Sequence, residues 1–198
     1  MMSMYQQVNV MSLEICKLFQ QSEHISFISN NIKLDLTKGP YVTGSYLTWL
    51  IEKNNNNPVW LPDDLDIVCR SPEQHEDIKN ILRPLASSIK ETNWLGTGST
   101  YWMINGFKFQ TFVHPVTAEI RVEWTDFTIN SIASDGLTYI ADEHTVDDIA
   151  DKVLRFKDSV HKLRPLDSTM SRYKKYSDRG YVDINNMSLN KIKQLYEV

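Results

Sequence analysis

The stretch Asp64-Leu65-Asp66-Ile67-Val68-Cys69 decides the fold class. Its apolar run from Leu65 to Cys69 reads as a short buried strand, and side chains alternate across a strand, so Asp64 and Asp66 project from one face. Two carboxylates held side by side repel each other, and a divalent cation between them relieves the repulsion. Oxygen ligands suit Mg²⁺, which also takes phosphate oxygens from a substrate. The plainer reading of the pair is a solvated strand end. Upstream, Thr43-Gly44-Ser45 precedes the apolar helical run Tyr46-Leu47-Thr48-Trp49-Leu50-Ile51. A glycine and a hydroxyl at a helix start make an anion site, because free N–H groups and the positive dipole end face the phosphates. Alone, Gly44-Ser45 reads as a simple cap. A phosphate loop, one helix and then an acidic couple opening an apolar strand is an unusual order for structural reasons alone.

Downstream of the strand, Ser71 is the expected N-cap of a helix with Pro72 at its first position. That helix is predicted to run to about Lys90, kinked or split at Pro84. Trp94 to Val116 predicts two or three strands, with Asn105-Gly106 as the tight turn between Tyr101–Ile104 and Phe107–Val113. Ala118 to Trp124 alternates (Ile120, Val122, Trp124) and predicts a further strand. Phe127 to Ala133 predicts a short helix, Leu137 to Ala141 a strand, and a helix follows from about Val146. Upstream, residues 9–21 have helical spacing, and 26–36 alternate loosely up to the turn Lys38-Gly39-Pro40. Asn54 to Asn57 with Pro58 predicts an exposed loop. The tail, 159–198, predicts helices near 168–178 and 188–197, the first stopped by Gly180. The pattern is that of an α+β domain with a mixed sheet.

With 198 residues, 41% hydrophobic and 23% charged, the chain suits one domain, or one domain with a small appendage. A net charge of −4 leaves nucleic-acid contact to a local patch. Cys16 and Cys69 have no metal-ligand spacing and read as free thiols in a reducing compartment. No apolar stretch is long enough for a membrane span, and Met1-Met2-Ser3-Met4 lacks the features of a signal peptide. The expected location is cytoplasmic.

The segment Thr125-Asp126-Phe127-Thr128-Ile129-Asn130-Ser131-Ile132-Ala133 resembles the DFTIN-x-[ILM]-A segment of CCA-adding enzymes and bacterial poly(A) polymerases. These belong to the DNA-polymerase-beta-like nucleotidyltransferase superfamily, whose head domain carries a Gly-Ser or Gly-Gly turn and then Asp-x-Asp in the order seen here. Ser99 to Phe112 is similar to the hairpin between those motifs. Asp148-Ile149-Ala150-Asp151-Lys152-Val153-Leu154-Arg155 is similar to the family's Asp-Leu-x-x-Lys-x-Leu-Arg. The likeness covers roughly residues 40–160 and also resembles small stand-alone head-domain proteins of phages and large viruses. It implies a nucleotidyltransferase-type mixed sheet flanked by helices, with a head domain at 1–158 and a neck-like helical extension at 159–198 packed on it. It implies Asp64 and Asp66 as catalytic residues and Mg²⁺ ligands, and Gly44 and Ser45 as binders of NTP phosphates. Asp126 would organise the nucleotide site, and Asn130 would touch sugar or phosphates.

The chain departs from that family at several points. Trp124-Thr125 stand where two arginines are usual; Arg121, Lys108 or a basic tail residue are the candidate replacements. The strand Phe107 to Val113 holds Lys108 and Gln110 but no third carboxylate, leaving Glu119, Glu123 or Asp126, or a site with two acids. No EDxxR occurs near Leu163-Arg164-Pro165-Leu166-Asp167. Residues 152–179 carry nine cations, among them Lys162 and Arg164, against three acids, with Tyr173 and Tyr176 interleaved. This makes Arg172, Lys174 and Lys175 candidate RNA-binding residues, the alternative being a solvated helix face. His114 is the histidine placed to approach the site, and Gly96-Thr97-Gly98-Ser99 reads as a turn. Three functions are open: transfer to an RNA 3′ end, possibly tRNA; transfer to a protein or small molecule; or nucleotide or RNA binding without catalysis. The oligomeric state is left open.

Overall fold

The computed structural model describes residues 13–55, 60–94, 97–157 and 165–196. Its strands are β1 (Tyr41–Thr43), β2 (Leu65–Cys69), β3 (Ser88–Trp94), β4 (Thr97–Ile104), β5 (Phe107–Val113), β6 (Ile132–Ser134) and β7 (Tyr139–Ala141). They form one seven-stranded sheet in the order β3-β4-β5-β2-β1-β6-β7. β2 lies parallel to β5 and the other pairings are antiparallel. The described helices are α1 (Leu13–Gln21), α2 (Glu23–Asn31), α3 (Ser45–Asn55), α4 (Pro72–Leu82), α5 (Ala118–Glu123), α6 (Thr145–Ala150), α7 (Leu166–Asp178) and α8 (Met187–Tyr196). The fold is the α+β mixed sheet that the pattern of elements predicted, flanked by helices as the resemblance implied.

The two faces of the sheet differ. Leu65, Ile67, Cys69, Trp102, Ile104 and Phe109 point into the main core, against Ile25 and Ile28 of α2, Leu47 and Ile51 of α3, and Ile78 and Leu82 of α4. Within it Trp102 donates from Nε1 to Thr111 Oγ1 at 3.0 Å, which satisfies a polar group that burial would otherwise penalise. The other face has a smaller cluster, Tyr41, Val68 and Ala133 under Ala118 and Val122 of α5. It is on this second face that Asp64 and Asp66 lie.

Several predicted elements are present: the β2 strand, the α4 start with Ser71 Oγ accepting from Gln74 N at 3.1 Å, and the Asn105-Gly106 turn, whose φ values of 51° and 78° match the turn type that pair favours. Other expectations fail for physical reasons. Ala118 to Trp124 is helix for most of its length, not strand. Thr117 caps it, with Oγ1 3.4 Å from Ile120 N, and Ala118 and Val122, four apart, are its buried positions. Residues 26–31 belong to α2, capped by Ser22, with Ile25 and Ile28 buried at a helical interval. The helix after Ser71 ends at Leu82 and a 3-10 turn at Arg83–Leu85 carries Pro84. Ser88 to Lys90 therefore opens β3. The Phe127–Ala133 segment contains a 3-10 turn, Thr128–Asn130, and then enters β6. Residues 9–12, part of the Asn-rich loop (56–59), Gly96 and residues 158–164 lie outside the described residues.

Hydrogen bonds tie the C-terminal segment to Phe156 and to α3. Ser188 Oγ accepts from Phe156 N at 2.9 Å. Glu52, on α3 and 1% exposed, accepts from Tyr181 Oη at 2.9 Å and Trp60 Nε1 at 3.1 Å and is paired with Lys152. Cys16 and Cys69 are buried and unbridged, and burial pushes the Cys69 thiol up to about 12. No helix among the described residues is long and apolar enough to cross a membrane.

Candidate active site

β1 and β2 set the geometry. Thr43 is paired with Asp66, and Asp66 with Gln110 on the parallel neighbour β5. Directly after Thr43 the chain turns through Gly44, at φ +88°, and starts α3 at Ser45. A Cβ on Gly44 would meet Asp66 Oδ2 at 2.2 Å. Only a glycine lets the backbone come this close to the carboxylate while adopting a positive φ. The first turn of α3 contains no acid that would neutralise its positive end.

These groups line one polar cleft of about 190 Å³. Gly44, Ser45, Asp64, Asp66, Asp126 and Asn130 all border it. Gln110 and Thr125 border it too, and the far wall is made by Arg121 of α5 with Arg172, Lys175 and Tyr176 of α7. The predicted carboxylate couple and glycine bend thus share a cavity.

The cleft holds both signs of charge. Burial first, and the Asp64 carboxylate second, push Asp66 up to about 7. Lys108 Nζ lies 3.3 Å from Asp64 Oδ2. Asp126 is fully buried; one oxygen is paired with Arg172, and Oδ1 has no hydrogen-bond partner. Arg121 Nε is likewise buried without a partner. Burial lowers the Arg121 pKa, but a guanidinium stays charged in proteins. An unpaired buried acceptor and an unpaired buried donor, both in the wall of one cleft, are expensive in a dry interior. A ligand bearing anionic and hydroxyl groups would satisfy both. Asn130 accepts at Oδ1 from Tyr176 Oη, and its 3-10 turn is anchored by Thr48 Oγ1 donating to the Ile129 carbonyl at 2.7 Å.

The remaining expectations sort by position. Lys174 is exposed and does not line the cleft, unlike its neighbour Lys175. Glu119 and Glu123 lie on α5 away from the cleft lining, so Asp126 is the proposed third acid that faces it. His114 sits edge-on to Trp124, with ring centroids 6.2 Å apart, and does not line the cleft. Tyr176 is buried, and Tyr173 packs near Phe127 and donates to Asp183 at 3.1 Å. Neither is a free stacking platform. The basic tail is largely paired within the chain: Arg155 with Asp148 at 2.9 Å, Lys157 with Asp142 at 3.0 Å, Lys152 with Glu52, and Arg179 with Asp63 at 4.0 Å. Lys162 and Arg164 lie outside the described residues.

Tyr176 was not expected in the site. The available signal was spacing: Arg172 and Tyr176 are one helical turn apart, so they share a face.

Among the described residues no group of three or more His, Cys, Asp and Glu side chains could hold a metal ion. The cleft offers two adjacent carboxylates instead. That donor set fits Mg²⁺, which commonly takes one or two protein carboxylates and completes its shell with water and substrate phosphates.

No protein-family model matches the sequence, and no curated protein matches it. Solved structures do. The Thermotoga maritima CCA-adding enzyme complexed with tRNA is 20% identical over 94% of this chain and 43% of that one, with a TM-score of 0.56. The fold is shared with CCA-adding enzymes. The Bacillus stearothermophilus CCA-adding enzyme in complex with CTP is also similar, at 19% identity over 59% of this chain and 28% of that one, with a TM-score of 0.42. The chain spans less than half the length of either enzyme.

Proposed function

We propose that the protein is a Mg²⁺-dependent nucleotidyltransferase that moves a nucleotide from an NTP to an acceptor hydroxyl at an RNA 3′ end. The observation that carries this reading is the single cleft shared by the Gly44-Ser45 helix start, the Asp64–Asp66 couple and the Asp126–Asn130 segment. Asp64 and Asp66 would hold magnesium, which when bound lowers the pKa of a hydroxyl and neutralises a triphosphate. Gly44 and Ser45 present N–H groups and the α3 dipole to the β- and γ-phosphates. Arg121 and Lys175 stand where they can add positive charge to the same phosphates, in place of the arginines that Trp124-Thr125 lack. Asp126, held by Arg172, and Asn130, held by Tyr176, orient the nucleotide. The acceptor oxygen attacks the α-phosphorus, the bond to the β-phosphate oxygen breaks and pyrophosphate leaves. Catalysis is then mainly positioning and charge neutralisation. In this reading residues 1–158 supply the catalytic head and 159–198 an extension that closes the cleft.

The competing reading is a nucleotide- or RNA-binding relative without turnover, favoured by Gln110, an amide beside Asp66 on the cleft face. Incubation with labelled NTPs, Mg²⁺ and total RNA separates them. Labelled RNA is the expected result. Labelled protein or small molecule moves the acceptor elsewhere, and nucleotide binding without any labelled product overturns the enzymatic reading.

A further inference from the structure

The sheet face that carries Asp64 and Asp66 continues past them, over β5, β4 and β3, and the chemistry proposed above makes no use of it. Strand register draws a straight line there. Asp66 is opposite Gln110, Gln110 opposite Tyr101, and Tyr101 opposite Lys90. One row over, Met103 pairs with Lys108, and Lys108 reaches Asp64. At about 4.8 Å between strands, the row from Asp66 to Lys90 is about 14 Å long. Its residues are open where their neighbours are not: Trp102, Ile104 and Phe109 on the opposite face are buried, whereas Tyr101, Met103 and Lys108 are half-buried and Lys90 is exposed. They line a groove of about 590 Å³ that shares Asp64 and Lys175 with the cleft.

We propose that this groove seats the single-stranded 3′ end of the RNA acceptor and leads its terminal hydroxyl to Asp64 and Asp66. The inference rests on the nucleotidyl-transfer reading and deepens it by locating the second substrate. Tyr101 supplies the stacking surface for a base. Lys108 Nζ, 5.6 Å from the Tyr101 ring centroid, and Lys90 supply positive charge for the phosphates on either side. An aromatic ring between ammonium groups in an open groove is the arrangement that binds single strands without reading their sequence. The end of the groove toward the cleft carries Asp63 and Asp64 beside Lys175, so among the described residues the positive charge is concentrated around Tyr101, which suits one strand better than a duplex. Lys108 lies 3.3 Å from Asp64 and Lys175 3.6 Å from Asp63, so among the groove's lysines Lys90 is the exposed one.

The test is fluorescence anisotropy of the full chain with a labelled single-stranded oligoadenylate RNA, alongside calorimetric titration with Mg·ATP. Tyr101→Ala should weaken RNA binding about 5- to 100-fold, with Tyr101→Phe restoring most of it. Lys90→Glu, at an exposed position where folding is not at stake, should weaken binding and make it less salt-dependent. Lys193→Ala, at an exposed position of α8 outside both cavities, should change nothing, and Mg·ATP binding should be the same in all four variants. RNA binding that is unmoved by both Lys90→Glu and Tyr101→Ala overturns the proposal, as does wild-type protein that binds Mg·ATP but no RNA. RNA binding that depends on Tyr101 and Lys90 in a protein with no affinity for Mg·ATP would keep the groove and discard the transferase reading.

Discussion

Gly44 and Asp66 are packed so closely that a single added carbon on the glycine would fall 2.2 Å from the carboxylate oxygen. Gly44→Ala therefore has two costs: a side chain at φ +88° and displacement of Asp66. We expect a loss of more than about 1 kcal/mol in urea unfolding, together with loss of Mg²⁺-dependent nucleotide binding by calorimetry. A variant that binds Mg·ATP like wild type would show that the glycine is a turn residue and no more.

Asp64→Asn and Asp66→Asn should each lower nucleotide incorporation on the order of 100-fold or more while leaving the far-ultraviolet dichroism spectrum unchanged. Either variant working at wild-type rate removes the metal assignment.

The raised pKa of Asp66, about 7 against about 4 for a free carboxyl, has a defined sign. In metal-free protein the folded state holds this proton more tightly than the unfolded chain does. Its contribution is complete below about pH 4 and is lost as pH rises through about 7. Magnesium replaces the proton, so its stabilising effect should grow over the same window. Melting temperatures with and without MgCl₂ at about pH 5.5 and about pH 8 should differ more at the higher pH. Asp66→Asn should abolish that dependence.

Arg172→Met takes from buried Asp126 the guanidinium that pairs with it and leaves Arg121 as the remaining cation nearby. Breaking a buried pair from one side costs about 3–5 kcal/mol, and the partial exposure of Arg172, 26%, places the expected loss near the lower figure. Chemical denaturation measures it. A loss below about 1 kcal/mol would mean that the pair behaves as a surface contact.

The parts that were legible in the sequence are those where local chemistry decides the outcome. Asp64 and Asp66 had to share a face once Leu65 to Cys69 was a strand, and Ser71-Pro72 and Asn105-Gly106 specify a cap and a turn by themselves. β1 was missed because three residues carry no periodicity. α5 was misread because Ile120, Val122 and Trp124 alternate, whereas the contacts that matter are made by Ala118 and Val122 beneath Thr117. β3 was hidden by the helical run before Pro84; it is an edge strand, and only its pairing with β4 identifies it. The acidic half of the site is local in sequence and was read. The α7 wall arrives from 46 residues beyond Asp126 and Asn130, and no nearby pattern announces such a partnership.

The carboxylate of Glu52 ties together α3, Trp60, Lys152 and Tyr181, segments up to 129 residues apart. Anyone seeking a minimal fragment for expression or crystallisation should keep the tail. Cutting before residue 165 would remove the α7 side of the polar cleft and strip a partner from an acid that has no access to solvent, so the shortest stable piece is expected to extend through Tyr181 at least.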